Sequence, residues 1–136
     1  QKMDVQNLAF QDETFDLVIT RNVTWNLEKP VQAYKEILRV LKNKGHLLNV
    51  DGNHYYHYQD RDYNRSGHSD HQHMEGIDVS IIDNIAKELK LSYVLRPRYD
   101  IEILKEIGFQ QVEILSKEKT KEGKELIRQF LIHAIK

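Results

Sequence analysis

Histidines gather in one stretch of the chain: His54, His57, His68, His71 and His73, with Asp60, Asp62 and Asp70 among them. Imidazoles and carboxylates bind metals and move protons. The run His68-x-x-His71-x-His73 could bring three imidazoles onto one zinc or nickel ion. Residues 51 to 76 show no helical or strand period, however, so nothing local fixes that geometry. The plainer reading is a polar lid over a binding site, lined by Tyr55, Tyr56, Tyr58 and Tyr63. The expected metal is therefore none, with His68, His71 and His73 as the ligands to examine if one is bound.

A second set of polar residues follows the apolar runs. Arg21 and Asn22 come directly after Phe15–Thr20, and Asp51 and Asn53 directly after His46–Val50. If those runs are parallel strands, these residues leave the carboxyl ends, where open α/β sheets bind ligands. Trp25, the only tryptophan, and Asn26 lie close by. Each has a structural alternative. Asn22 could hold its own loop through a local side-chain bond, and Trp25 could be packing in a core or lid.

The elements that must position these residues can be read from periodicity. Phe15-Asp16-Leu17-Val18-Ile19-Thr20 is a buried strand. Val31, Tyr34, Ile37, Leu38 and Leu41 form one face of a helix that Pro30 opens and Gly45 ends in a left-handed stop. His46–Val50 is a second buried strand, so strand, helix and strand make a βαβ crossover in a parallel sheet. Helical spacing returns at Ile77, Ile81, Ile82, Ile85 and Leu89. Arg96-Pro97-Arg98 is a connector, and Asp100 caps a helix that ends in a Schellman turn at Gly108-Phe109. Residues 111–115 and 129–135 are strands of an antiparallel hairpin at the sheet edge, with a Lys- and Glu-rich turn between them.

Bulk properties set the outer limits. The 136 residues suit one domain, with 40% apolar and 30% charged residues. A net charge of −1 offers no basic stripe for nucleic acid. No apolar run approaches the roughly 20 residues that span a bilayer. The absence of cysteine suits a reducing cytoplasm, which is the expected location, and removes thiolate chemistry. The first residues, Gln1-Lys2-Met3-Asp4, read as an internal cut.

In order along the chain, these words resemble a known family. Met3-Asp4-Val5-Gln6-Asn7-Leu8-Ala9-Phe10 is similar to an acidic residue, a small residue and Leu-Pro-Phe. Phe15-Asp16-Leu17-Val18-Ile19 follows, then Arg21-Asn22-Val23-Thr24-Trp25-Asn26-Leu27 and Pro30. Glu36-Ile37, Arg39-Val40-Leu41-Lys42, Gly45 and Leu47-Leu48-Asn49-Val50-Asp51 continue the pattern, and Asp100 through Phe109 resembles its late helix. The family is the class I S-adenosylmethionine-dependent methyltransferases. Ala9 and Asn43-Lys44-Gly45 depart from it, replacing a proline and Pro-Gly-Gly, and no Gly-x-Gly-x-Gly occurs in the chain.

The resemblance implies an α/β fold, the C-terminal half of a doubly wound Rossmann-like sheet ending in an antiparallel hairpin. Residues 1–136 would be one partial domain: a cofactor-side βαβ unit over 1–50, a lid or acceptor-side insertion over 51–98, and a helix with a strand hairpin over 99–136. It implies S-adenosylmethionine as cofactor. Asp4 would accept from the adenine amino group, Val5 would offer its backbone N–H, and Arg21 and Asn22 would lie beside the methionine portion. Trp25, Asn26, Asp51 and Asn53 become acceptor-side candidates for an unidentified small molecule, with the catalytic residue unknown. The alternative is a non-catalytic or metal-responsive module using the His-rich loop. Lacking the glycine-rich motif, the chain is expected to be an inactive fragment and a candidate homo-oligomer through its exposed sheet edge.

Overall fold

The structure, a computed structural model, describes residues 1–55, 80–119 and 127–136. Strand β1 (Phe15–Arg21) leads through a short 3-10 turn at Thr24–Asn26 into helix α1 (Pro30–Val40) and strand β2 (Leu41–Gly52). Helix α2 (Ser80–Glu88), a 3-10 turn at Lys90–Tyr93 and helix α3 (Arg98–Ile107) precede strands β3 (Gln111–Lys119) and β4 (Ile127–Ile135).

The sheet order is β1-β2-β4-β3. β1 and β2 run parallel, with Val18 opposite Leu47 and Thr20 opposite Asn49. β4 lies antiparallel between β2 and β3. The crossover and the terminal hairpin are thus as expected, and the hairpin's second strand occupies the inner position.

One face of this sheet carries the core. Tyr34 and Ile37 of α1 and Leu104 of α3 pack with Leu47, Phe130, Ile132 and Ala134 of the strands. Alternation along β4 explains the choice of face, since Phe130, Ile132 and Ala134 are buried while the residues between them are half-buried. The opposite face of β1 is bare, leaving Leu17 47% and Ile19 62% exposed. On α2, Ile81 and Ile85 are exposed too.

Three local expectations are refined or corrected. Of the expected face of α1, Tyr34, Ile37 and Leu41 are buried while Val31 and Leu38 are half-buried, and Ala33 and Val40 are buried in addition. That helix ends when Leu41 becomes extended, so Gly45 is not its stop; it lies within β2, and Lys44 is the residue with positive φ, 63°. Gly45 is still needed small, because a Cβ there would meet the Lys42 carbonyl oxygen at 2.8 Å. Asp100 caps nothing: α3 begins at Arg98, and Asp100 turns inward from the first turn. The stop of α3 is as expected. Gly108 adopts φ 118°, and the N–H groups of Gly108 and Phe109 donate back to Lys105 and Leu104.

Candidate functional site

β1 and β2 end side by side, and beneath their carboxyl ends lies a buried polar network. Arg96, only 1% exposed, donates from Nε to Asp100 Oδ2 at 2.9 Å and from Nη2 to Asp100 Oδ1 at 2.6 Å. Its Nη2 also donates to Thr24 Oγ1 at 2.7 Å, and Nη1 lies 3.2 Å from Asp51 Oδ2. The guanidinium stands over the Phe130 ring, a cation–π contact. Tyr34 Oη donates to Asp100 Oδ1 at 2.5 Å and accepts from Asn49 Nδ2, whose partner oxygen accepts from Thr20 Oγ1.

Burial alone would push the Asp51 carboxyl up. Contact with His54, the charge of Arg96 and hydrogen bonds from Thr24 and Gly52 outweigh it and hold Asp51 below the ordinary carboxylate value. Burial likewise works against the Arg96 charge, and Asp100 and Asp51 more than offset it. For Tyr34, burial and the neighbouring Asp100 charge push the phenol well up, so it stays a neutral donor.

Above the network sits an aromatic rim. Asp51 Oδ2 accepts from Thr24 Oγ1 in a short bond and from the Trp25 backbone N–H at 2.9 Å. Trp25 stacks on Tyr55, with centroids 5.4 Å apart, and leans on His54 at 5.0 Å. Its Nε1–H donates to the Asn22 carbonyl. His54 Nε2 lies 3.4 Å from Asp51 Oδ1.

The N-terminal segment lies along α1, tied first near the amino ends of the strands, where Glu13 and Thr14 meet Arg39 and Val40. Arg39 donates to the carbonyls of Leu8 and Phe10, while Glu36 accepts from the Leu8 N–H. Hydrogen bonds from Arg39 hold Glu36 below its ordinary value against some desolvation. Further on, Gln6 Oε1 accepts from the Lys29 N–H at 2.7 Å, immediately before α1. Asp4 and Val5 therefore reach the end of the sheet where Arg21 and Asn22 emerge. Asp4 is exposed and uses Oδ1 to accept from the Gln6 N–H.

The candidates thus divide. Asp4, Val5, Arg21, Asn22, Trp25 and Asn26 share one end of the sheet. Asn22 takes φ 52° and donates its N–H to Val50; its side chain makes no hydrogen bond among the described residues. Asp51 and Asn53 face inward. Asp51 is fully buried, and Asn53 joins Arg96 to the Ile127 carbonyl through its amide. The polar atoms of both side chains are turned into the fold. His68, His71 and His73 lie outside the described residues, and among the described residues no group of three or more His, Cys, Asp or Glu could hold a metal ion.

Three contributors escaped the sequence. Arg96 was legible only as a connector residue, although its place four before Asp100 allows a helical-spacing ion pair. Tyr34 read as one more apolar helix position. His54 was indistinguishable from the other loop histidines.

Residues 1–49 match the family described as a methyltransferase domain. No curated protein sequence matches the chain. Among solved structures, an S-adenosylmethionine-dependent methyltransferase from Thermotoga maritima aligns with 100% of this chain and 63% of its own, at 18% identity and a TM-score of 0.58. The trans-methyltransferase CalH in complex with S-adenosylhomocysteine aligns over 98% of this chain and 34% of its own, at 15% identity and 0.61. An arsenic(III) S-adenosylmethionine methyltransferase from Chlamydomonas reinhardtii does so over 98% and 42%, at 18% identity and 0.59. The match over residues 1–49 is to a methyltransferase domain, and the fold of the described residues is the one these S-adenosylmethionine-dependent methyltransferases share. The chain spans less than two-thirds of the length of each of these structures. No helix among the described residues is long and apolar enough to cross a membrane.

Proposed function

We propose that the protein containing this chain transfers a methyl group from S-adenosylmethionine to a small-molecule acceptor. One observation carries the reading: the Gln6–Lys29 hydrogen bond brings Asp4 and Val5 to the end of the sheet that also presents Arg21, Asn22 and Trp25. These residues fit the cofactor's donor set. Asp4 keeps Oδ2 with only a distant 3.5 Å contact from Gln6, so it can accept from an adenine amino group. The Val5 N–H is taken by no described residue and can donate to the ring. The turn at Arg21 and Asn22 would flank the methionine portion.

Bound S-adenosylmethionine would supply a methyl carbon on sulfonium, so an acceptor lone pair forms the new bond while the carbon–sulfur pair stays on sulfur. The chain's own part is positioning and exclusion of water. Trp25, fixed through its backbone by Asp51 and through its ring by Asn22 and Tyr55, offers an apolar wall for the acceptor. Asn26 lies on the same turn, exposed. Asp51 and Asn53 act at one remove, holding that turn and the stretch before α3.

Calorimetric titration of S-adenosylhomocysteine into the full-length protein tests this. One-to-one binding weakened by Asp4→Ala supports it, and absence of binding sinks it. The metal-responsive alternative would instead show tight zinc or nickel binding without cofactor binding.

A further inference from the structure

We infer that His54 is the proton acceptor on the acceptor side of the site, so that the substrate bears an ionisable O–H, N–H or S–H; this rests on the methyl-transfer reading above. Among the described residues, His54 is the imidazole at the carboxyl end of β2, three residues beyond Asp51 and against the Trp25 ring. Its Nε2 is enclosed and makes no regular hydrogen bond, yet it faces Asp51 Oδ1 at 3.4 Å. A carboxylate only accepts, so the tautomer with hydrogen on Nε2 is the one this contact favours. That leaves the lone pair on Nδ1, which has no hydrogen-bond partner among the described residues.

The surroundings suit the protonated product of such a transfer. Asp51 and Asp100 are two buried carboxylates answered by the single guanidinium of Arg96. An imidazolium at His54 would meet the carboxylate that lacks a full countercharge, much as a buried carboxylate steadies the histidine of a hydrolytic triad. Asp51 is itself fixed by Thr24, Trp25 and Gly52, so it acts as a positioning residue. In the step, the acceptor X–H bond breaks and its proton forms the N–H bond at Nδ1. The electron pair stays on X and is the pair that bonds to the methyl carbon.

Long-range nitrogen–proton correlation spectra of histidine-labelled full-length protein read the tautomer, with His54 assigned by its loss in His54→Gln. Hydrogen on Nε2 in the wild type, giving way to a tautomer mixture in Asp51→Asn, supports the assignment. Hydrogen on Nδ1, or a spectrum indifferent to Asp51→Asn, overturns it. In parallel, labelled S-adenosylmethionine is offered with catechol, a primary amine and an alkyl thiol. His54→Gln should lower kcat for the accepted probe by about 10²–10⁴-fold with KM for S-adenosylmethionine unchanged. Unchanged kcat overturns the role of His54 alone. No labelled product together with no binding of S-adenosylhomocysteine overturns the methyl-transfer reading and this inference with it.

Discussion

Arg96 and Asp51 meet at 3.2 Å with both side chains essentially sealed from water. The same guanidinium grips Asp100 through two nitrogens. One arginine therefore ties the end of β2 to the first turn of α3. Replacing it with an apolar residue of similar length leaves two carboxylates buried and unanswered. Arg96→Met should cost about 3–5 kcal/mol, read from urea denaturation of the purified protein. Arg96→Lys should recover only part of this, because an ammonium cannot reproduce the forked contact.

Trp25 gives a spectroscopic view of the same network. Its backbone N–H is held by Asp51 Oδ2, which also holds Thr24. Asp51→Ala removes both anchors and leaves one arm of Arg96 with only the Gly52 carbonyl, at 3.4 Å. We expect a red-shifted tryptophan emission as the ring loosens from Tyr55, and a loss of about 1–3 kcal/mol. An unshifted spectrum in a folded variant would mean that ring stacking alone sets the position of Trp25. Since Trp25 is the only tryptophan, the signal is unambiguous.

Acid should act through the depressed carboxylates. Burial opposes the Asp51 charge, but His54, Arg96 and Thr24 hold its folded pKa below the ordinary carboxylate value. A depressed carboxylate contributes stability above the unfolded value, and that contribution is lost as pH falls through the folded value. Glu36 adds in the same direction through Arg39. Stability from these two groups should be level from neutrality to about pH 5 and decline below about pH 4. Thermal melts across that range check it, and Asp51→Asn should flatten the decline.

Asp4 offers a separation of binding from folding. It is exposed, and its contacts are local, to Gln6 and Asn7. Asp4→Ala should leave Tm nearly unchanged while weakening S-adenosylhomocysteine binding about tenfold, the worth of one charge-assisted hydrogen bond. Calorimetry on the full-length protein measures both.

The bare side of β1 makes a prediction for the 136-residue chain itself. Leu17 and Ile19 are 47% and 62% exposed, and no strand pairs with the outer edge of β1 among the described residues. Such an edge invites a second copy. Light scattering should show concentration-dependent association that Ile19→Lys reduces. A monodisperse monomer at high concentration would count against it.

Local chemistry wrote much of this chain. Alternation in β4, the three- and four-residue spacing in α1 and the positive φ of Gly108 all depend on near neighbours, so they can be read in order along the sequence. The family words at Asp4-Val5 and Arg21-Asn22 are local too, and they mark the end of the sheet to which the fold brings them. The inner position of β4 and the burial of Ala33 and Val40 on α1 were not legible, because they depend on how the elements pack together. The roles of Arg96, Asp100 and His54 were hidden for the same reason. A lone arginine before a proline, a supposed helix cap and one histidine among several have no partner within reach along the chain. Only packing α3 against β2 sets Arg96 between Asp51 and Asp100, and only the end of β2 turns His54 back onto Asp51. Burial then makes those contacts strong, since a charge withdrawn from water must be answered by whatever the fold places beside it.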